Sequence, residues 1–165
     1  GLVSAPPYFL NRRLTMAGKE PVSKNLSASN IRYLLTLREL ESKAISERED
    51  SRRENAIGII SEKNAGVRYI EISNALGISR ASAHNMIDTF INSGLVGKNT
   101  HGTLFLTVEG NDVASRYGRY YTAVSEMLEP HFPGLGSMEN AVCSLLAEIP
   151  ESCLERLCAK RAEYN

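Results

Sequence analysis

The stretch "ISNALGISRASAHNMIDTFINSGLVGK", residues 72–98, constrains the fold more than any other part of the sequence. Its apolar residues recur at helical spacing on both sides of Gly77, which is placed to end a first helix. Ser79 is placed to cap a second helix, and Gly94 to end it. Two short amphipathic helices joined by so tight a turn can bury their apolar stripes only by crossing. The stretch therefore predicts a helix-turn-helix.

A wing is predicted directly after these helices. Residues 95–110, "LVGKNTHGTLFLTVEG", contain two apolar, β-prone runs around a polar turn with glycine, which is typical of a hairpin. A helix with Ser27 or Ser29 as its N-cap precedes them. Helical segments follow, the first halted near Pro130 and the last two split by Pro150. This order predicts a mainly α chain built on a winged helix-turn-helix.

Three segments are expected along the chain. Residues 1–25 hold three of the six prolines among small and polar residues, and we expect a flexible arm there. Residues 26–109 form the winged helix-turn-helix domain, and residues 110–165 form a helical domain. The charged and then apolar stretch between residues 41 and 62 is compatible with one long broken helix or with two helices.

Charge and cysteine content exclude several classes of protein. Lys plus Arg equal Asp plus Glu at 19 each, but residues 1–68 carry 12 basic and 8 acidic side chains, whereas residues 126–165 carry 3 and 7. This polarity is expected where one end faces phosphate and the other faces protein. Three cysteines without a C-x-x-C pair argue against a disulfide framework or a zinc knuckle. Without a long apolar run or a signal-peptide pattern, we expect a cytoplasmic protein with no membrane partner.

The start of the second helix of the motif carries the candidate base-reading residues. Asn85 can make paired hydrogen bonds to adenine, Arg80 can bind guanine or phosphate, and Ala81 offers a methyl group to thymine. Serine hydroxyls there suit phosphate contacts, and the polar hairpin turn at residues 98–101 can touch the DNA backbone or minor groove. The candidate DNA-binding residues are Ser79, Arg80, Ala81, Ser82, His84, Asn85, Lys98, Thr100 and His101. For His84 and His101, simple exposure and turn filling are the alternatives.

Five segments together resemble a known family. They are "SASNIRYLLTL", "IEISNALGISRASAHNMIDTFINSGLV", "GTLFLTVEG", "SRYGRYYTAVSEML" and "ENAVCSLLAEIPESCLERL". In this order they resemble the iron- and manganese-dependent repressors, relatives of the diphtheria toxin repressor, from about Ser27 to Leu157. The resemblance implies a helical dimerisation domain after the winged helix-turn-helix. It also implies a two-fold dimer that binds a palindromic operator when a divalent metal lies between the first helix and the dimerisation helices.

The same resemblance places the family's metal-ligand positions on residues that are mostly unsuited to a metal. The first-helix positions fall on Arg32 and Leu35 or, in a second register, on Ser51 and Glu54. The remaining positions fall on Cys143, Leu146, Ala147, Tyr121, Ser125 and Glu139. An arginine would hold a positive charge against a dication. We therefore expect no cofactor, with Glu139 and Cys143 as weak candidates, together with His131 or Glu148, for a relocated manganese or iron site.

The sequence thus predicts a homodimeric, sequence-specific DNA-binding transcriptional regulator, a repressor by resemblance, that lacks the metal switch. Three alternatives stay open: a metal-responsive regulator with a relocated site, a thiol switch through Cys153 and Cys158, and a winged-helix adaptor that binds protein. An enzyme is the least favoured class. His84, His101 and His131 are scattered, and neither a nucleophile motif nor a glycine-rich phosphate loop occurs.

Overall fold

The structure, a computed structural model, describes residues 26–54 and 66–163. The arm predicted at residues 1–25 and the apolar residues 56–60 lie outside the described residues. The elements are α1 (Ala28–Glu54), α2 (Tyr69–Leu76), α3 (Arg80–Asn92), β1 (Val96–Lys98), β2 (Leu104–Leu106), α4 (Val108–Leu128), a 3-10 turn (Leu135–Ser137), α5 (Glu139–Glu148) and α6 (Glu151–Glu163). The mainly α class with a winged helix-turn-helix is confirmed. None of the described helices is long and apolar enough to cross a membrane.

Helix α1 connects two hydrophobic cores. It begins after Ser27, whose hydroxyl accepts a hydrogen bond from the Asn30 N–H at 3.2 Å, and it runs without a break to Glu54. Ser29, the alternative cap, lies inside the helix. Leu34 and Leu37 are buried in the core of the winged helix-turn-helix, whereas Ile31 is buried in the core of the C-terminal helices. Since α1 contributes to both cores, neither half packs independently of it.

The helix-turn-helix forms as the glycine and serine positions predict. Gly77 ends α2 in the left-handed region, at φ +66°, a conformation that glycine adopts without steric cost. The Ser79 hydroxyl accepts the Ser82 N–H at 3.1 Å and caps α3. Helix α3 ends one residue earlier than expected, since Ser93 is its C-cap and Gly94 follows at φ +78°. The residues that close the crossing are buried: Ile72, Leu76, Ala83, Ile87 and Phe90.

The predicted hairpin is present and has an additional partner. β1 and β2 pair antiparallel, with Val96 opposite Leu106 and Lys98 opposite Leu104. Val67, just before α2, forms an isolated bridge to Leu104 through two hydrogen bonds of 2.8 Å. Periodicity did not predict this bridge, because it joins a single residue to a distant strand. It attaches the wing to the start of α2.

Helix α4 begins inside the segment assigned to the wing. The Thr107 hydroxyl accepts the Gly110 N–H at 3.0 Å and donates to the Gly94 carbonyl at 2.6 Å, so capping starts the helix at Val108. The predicted boundary at residues 109 and 110 therefore falls within the first turn of α4. Pro150 separates α5 from α6, as expected. The second core is formed by Ile31, Tyr117, Tyr120, Val124, Leu135, Val142, Cys143, Leu146 and Leu154.

Candidate nucleic-acid interface

Helix α3 presents the predicted DNA-binding face to solvent. Its inward side is completely apolar, with Ala83, Ile87 and Phe90 at 0–2% exposure. Because these residues fix the rotation of the helix, the remaining positions point outward. All the candidates on and beside α3 are exposed: Ser79, Arg80, Ala81, Ser82, His84 and Asn85. The packing therefore leaves a polar, small-residue surface of the kind that enters a major groove.

The two serines at the start of α3 bind each other. Besides the cap, the hydroxyl oxygens of Ser79 and Ser82 lie 2.9 Å apart, within hydrogen-bond distance. These contacts fix the first turn of α3 and leave lone pairs and one hydroxyl proton for an external partner. The serines are thus structural residues of the helix start that remain accessible to phosphate.

Tyr69 was not predicted to belong to this surface. It lies at the start of α2 and contacts both α3 and the wing. The ring of Tyr69, at the start of α2, stacks on the His84 imidazole of α3, with centroids 3.9 Å apart and planes inclined by 16°. The Lys98 ammonium of the wing lies 5.4 Å from the centre of the same ring, within cation-π range. Burial raises the pKa of Tyr69, and the Asp88 carboxylate raises it further. His84 is therefore exposed on one side and stacked against Tyr69 on the other, and its contact with a groove stays a prediction.

The side chain of Asn99 shapes the wing loop, whose residues 98–101 were expected to touch the DNA backbone or minor groove. The Asn99 side-chain oxygen accepts the His101 N–H at 3.0 Å and the Thr103 N–H at 2.9 Å. These bonds close the turn between β1 and β2. Lys98, Thr100 and His101 remain exposed around it. Asn99 thus supports the loop that presents the three candidate residues.

Two further charged residues belong to the same surface. Arg68 is the N-cap residue of α2, and its backbone N–H donates to Glu71 Oε2 at 2.7 Å. Its exposed guanidinium lies 3.4 Å from the same carboxylate, at the N-terminal end of the helix-turn-helix. Asp88 is exposed on α3, one helical turn beyond His84. A carboxylate at such a position accepts from the cytosine amino group and repels phosphate. The sequence argument missed Asp88 because it considered cationic, amide, hydroxyl and methyl groups but no carboxylate.

The structure brings the weak metal candidates together with Arg32. Glu139 and Cys143 line a cavity of about 290 Å³ between α1, α4 and α5, which Arg32, Leu35 and Tyr121 also line. The first of the two possible registers of α1 is therefore the one that faces Cys143. Arg32 Nε lies 3.2 Å from Glu139 Oε2. His131 and Glu148 are exposed and do not line this cavity.

The chemistry of this cavity does not suit a divalent metal. The guanidinium of Arg32 occupies the Glu139 carboxylate and would oppose a dication. Burial raises the pKa of Cys143 to about 11, with the Glu139 charge adding to the effect, so the sulfur is a neutral thiol at pH 7. Leu146 is buried and Ala147 half-buried at the other ligand positions. Within residues 26–54 and 66–163, no three His, Cys, Asp or Glu side chains are grouped as a metal site requires.

Two comparisons with known proteins agree with a helix-turn-helix in this part of the chain. Residues 56–100 match the IclR helix-turn-helix domain, which covers α2, α3 and the start of the wing. A solved structure described as the metal-dependent transcriptional regulator MtsR superposes with a TM-score of 0.56 at 14% identity, over 82% of this chain and 54% of that chain. This chain thus spans about half the length of that regulator, and the likeness concerns the fold. No curated protein matches the chain. The domain match and the fold support transcription regulation through DNA binding.

Proposed function

We propose that the chain is a homodimeric, sequence-specific transcriptional repressor of the iron- and manganese-dependent repressor type that has lost the metal switch. The observation that carries this proposal is the outward face of α3, where polar candidates surround an apolar, tightly fixed inner side. Such a face is suited to direct readout in a major groove. The match of residues 56–100 to a helix-turn-helix domain supports it independently.

The division of contacts follows from the geometry. Asn85 and Arg80, exposed on the first two turns of α3, are the proposed base-reading residues, and Ala81 meets a thymine methyl group. Lys98 and Thr100 of the wing bind the DNA backbone and fix the register. The α3 face also carries the Asp88 carboxylate, which repels phosphate and hydrogen-bond acceptors of bases. We therefore expect Asp88 to contribute to specificity by disfavouring DNA sequences that place such acceptors against it.

A homodimer is supported by the surface of the C-terminal half. Four of the seven large apolar side chains exposed in the described residues lie between the end of α4 and the end of α5: Met127, Phe132, Met138 and Leu145. Exposed apolar side chains of this size favour association. Residues 126–165 carry 7 acidic and 3 basic side chains, so this end is poorly suited to phosphate. A two-fold dimer through it would present two α3 helices to a palindrome.

The absence of a metal requirement rests on the cavity between α1, α4 and α5. Its arginine is paired with the glutamate that would otherwise be the strongest donor, and its cysteine is protonated. A dication would have to displace Arg32 and deprotonate Cys143. We therefore propose operator binding that is independent of manganese and ferrous iron.

Selection of genomic fragments by the purified protein tests the proposal. The fragments would include the protein's own promoter region, and binding would be compared in chelator, in manganese and in ferrous iron. We expect one palindromic sequence to be retained under all three conditions. Retention only with metal would contradict the loss of the switch. Absence of any duplex binding that weakens with salt would contradict DNA binding and favour the protein-binding adaptor.

A further inference from the structure

A second cavity, lined by residues of α1, α4 and α6, contains three arginines and no acidic side chain. Its volume is about 610 Å³, in the range of small-molecule sites. It is lined by Arg38, Ser115, Gly118, Arg119, Thr122, Ala123, Cys158, Arg161 and Ala162. Residues 110–165, which supply all of the lining except Arg38, carry 8 acidic and 5 basic side chains, so a cavity with three arginines and no acidic lining residue is an exception there. It differs from the cavity of Arg32 and Cys143, where acid and base neutralise each other.

Arg38 lies close to the backbone of α4 at this cavity. The guanidinium of Arg38 lies so close to Gly118 that a Cβ there would meet its terminal nitrogen at 3.2 Å. An alanine at position 118 would require this flexible guanidinium to shift by a few tenths of an ångström. The glycine therefore provides the space in which a guanidinium from α1 approaches the backbone of α4.

The other two arginines come from α4 and α6. Arg119 lies near enough to Cys158 for its charge to lower the pKa of that thiol, although burial is the larger effect and raises it. Arg161 forms an ion pair with Glu126. Within the described residues, Arg38 and Arg119 form no ion pair. Two guanidinium groups thus converge on one cavity without a carboxylate partner.

We propose that this cavity binds a small molecule that carries a phosphate or diphosphate group. Guanidinium groups bind such oxyanions through paired, charge-assisted hydrogen bonds, and several of them are needed to neutralise a charge of two or more. Arg38 and Arg119 supply the unpaired charges, and Arg161 and the Ser115 hydroxyl lie beside them. Ala123, Ala162 and Cys158 leave an apolar part of the cavity for the remainder of the ligand. The site is separate from the DNA-binding surface, and its test does not depend on an operator.

Calorimetric titration with inorganic pyrophosphate, and with inorganic phosphate, tests the site at ionic strength held constant with chloride. We expect saturable binding of one pyrophosphate per chain. Arg38→Gln and Arg119→Gln should each weaken that binding by at least about tenfold, since each removes a charged hydrogen-bond donor. Arg156→Gln is the matched control, because this exposed arginine of α6 does not line the cavity. Its affinity for pyrophosphate should equal that of the unchanged protein.

Three results would overturn the proposal. The first is the absence of saturable pyrophosphate binding, and the second is an equal loss of affinity in all three variants. The third is displacement of pyrophosphate by a random-sequence duplex together with weaker duplex binding by Arg119→Gln, which would assign the arginines to DNA phosphates. Failure of operator selection would leave these outcomes unaffected, because they do not involve a specific DNA sequence.

A second measurement uses the unchanged protein, so that it does not depend on the folding of a variant. Cys158 lines the cavity and Cys153, on the same helix, does not. Saturating pyrophosphate should slow alkylation of Cys158 by the neutral reagent iodoacetamide by about threefold or more and leave Cys153 unchanged, as mass spectrometry would measure. Equal rates at Cys158 with and without pyrophosphate would contradict the site.

Discussion

The helix-turn-helix with its wing and the C-terminal helices use polar side chains in opposite ways. In residues 66–107, the core is formed by apolar side chains, with Ser73 and Thr103 buried beside them, and the polar side chains of α3 and the wing tip point to solvent. In α4 to α6, polar side chains bind one another between helices. Arg116 contacts Glu151 at 2.9 Å, and the Tyr120 hydroxyl lies 3.1 Å from both Glu151 and Glu155. The first region keeps its polar groups available to a partner, whereas the second uses them to join its own helices.

This difference underlies the proposal that the chain binds DNA without the metal switch. A surface that reads bases needs exposed donors and acceptors on a rigid support. A metal site needs several converging donors that can give up their protons to the metal and are not already paired with a cation. Here Arg32 is paired with Glu139, and burial keeps the thiol of Cys143 neutral, so these side chains stabilise the packing of α1 against α5 instead. Under the proposed function, the interior positions between α1, α4 and α5 serve packing and ion pairing, while the α3 surface remains available to DNA.

The largest expected effect concerns the junction between the two regions. A Cβ on Gly110, in the first turn of α4, would lie 2.8 Å from the carbonyl carbon of Leu95. Gly110→Ala should therefore lower the free energy of unfolding by about 3 kcal/mol, because two backbone segments would have to separate. Gly118→Ala is the control, since its nearest neighbour is the flexible end of Arg38 and it gains helix propensity. Urea denaturation measures both, and equal effects would mean that α4 is not fixed against Leu95.

The second prediction tests whether the interior of the C-terminal half requires a neutral thiol. Burial raises the folded pKa of Cys143 from 9.0 to about 11. The protonated thiol therefore contributes stability that is complete below about pH 9 and is lost as the pH rises through about 11. The loss corresponds to about 2–3 kcal/mol, which urea denaturation between these pH values would measure.

Cys143→Ala isolates this effect from that of the tyrosines. Burial also raises the pKa values of Tyr117, Tyr120 and Tyr121, so their ionisation destabilises the fold in the same direction as the pH rises. The alanine variant should keep the tyrosine contribution and show a smaller decrease in stability over the alkaline range. Parallel curves for the two proteins would show that the thiol is not held neutral.

How far the sequence could predict the molecule depends on whether a feature is local. The cap at Ser79, the helix end at Gly77 and the break at Pro150 are local and were predicted, and the cap at Ser27 was one of the two alternatives given for the first helix. The Val67 bridge to Leu104 and the first turn of α4 depend on pairing and capping across the hairpin, so periodicity did not reveal them. Local signals fix where helices begin and end, but not what they contact.

The candidate site follows the same rule. Helical periodicity predicted which α3 residues face outward, because the inward face is set by its own apolar stripe. It could not predict that Tyr69 contacts both His84 and Lys98, since three separate elements meet there. The sequence also did not predict that Arg32 pairs with Glu139. It did predict that an arginine at this position is unsuited to a metal.

The third prediction sharpens the assignment of α3 as the base-reading element. Asn85→Ala should weaken binding to the selected operator by about 2 kcal/mol and relax preference at one base pair, because two hydrogen bonds to a base are lost. Asn92→Ala, exposed at the other end of α3, is the matched control and should change the affinity little. Competition binding with single-base operator variants measures both. An Asn85 variant with unchanged base preference would mean that a different face of α3 enters the groove.

The smallest expected effect tests whether Tyr69 makes the wing and α3 act as one surface. Tyr69→Leu preserves an apolar side chain but removes the stack on His84 and the ring beneath Lys98. Each contact contributes about 0.5–1 kcal/mol at an exposed site, so operator affinity should fall by about 1 kcal/mol. Combining it with Lys98→Ala distinguishes positioning from simple charge loss. If Tyr69 positions Lys98, the losses of binding free energy in the two single variants should add up to more than the loss in the double variant. The reason is that the second substitution removes a contact that the first has already disrupted. Strict additivity in equilibrium binding would instead mean that the wing and α3 contact DNA independently.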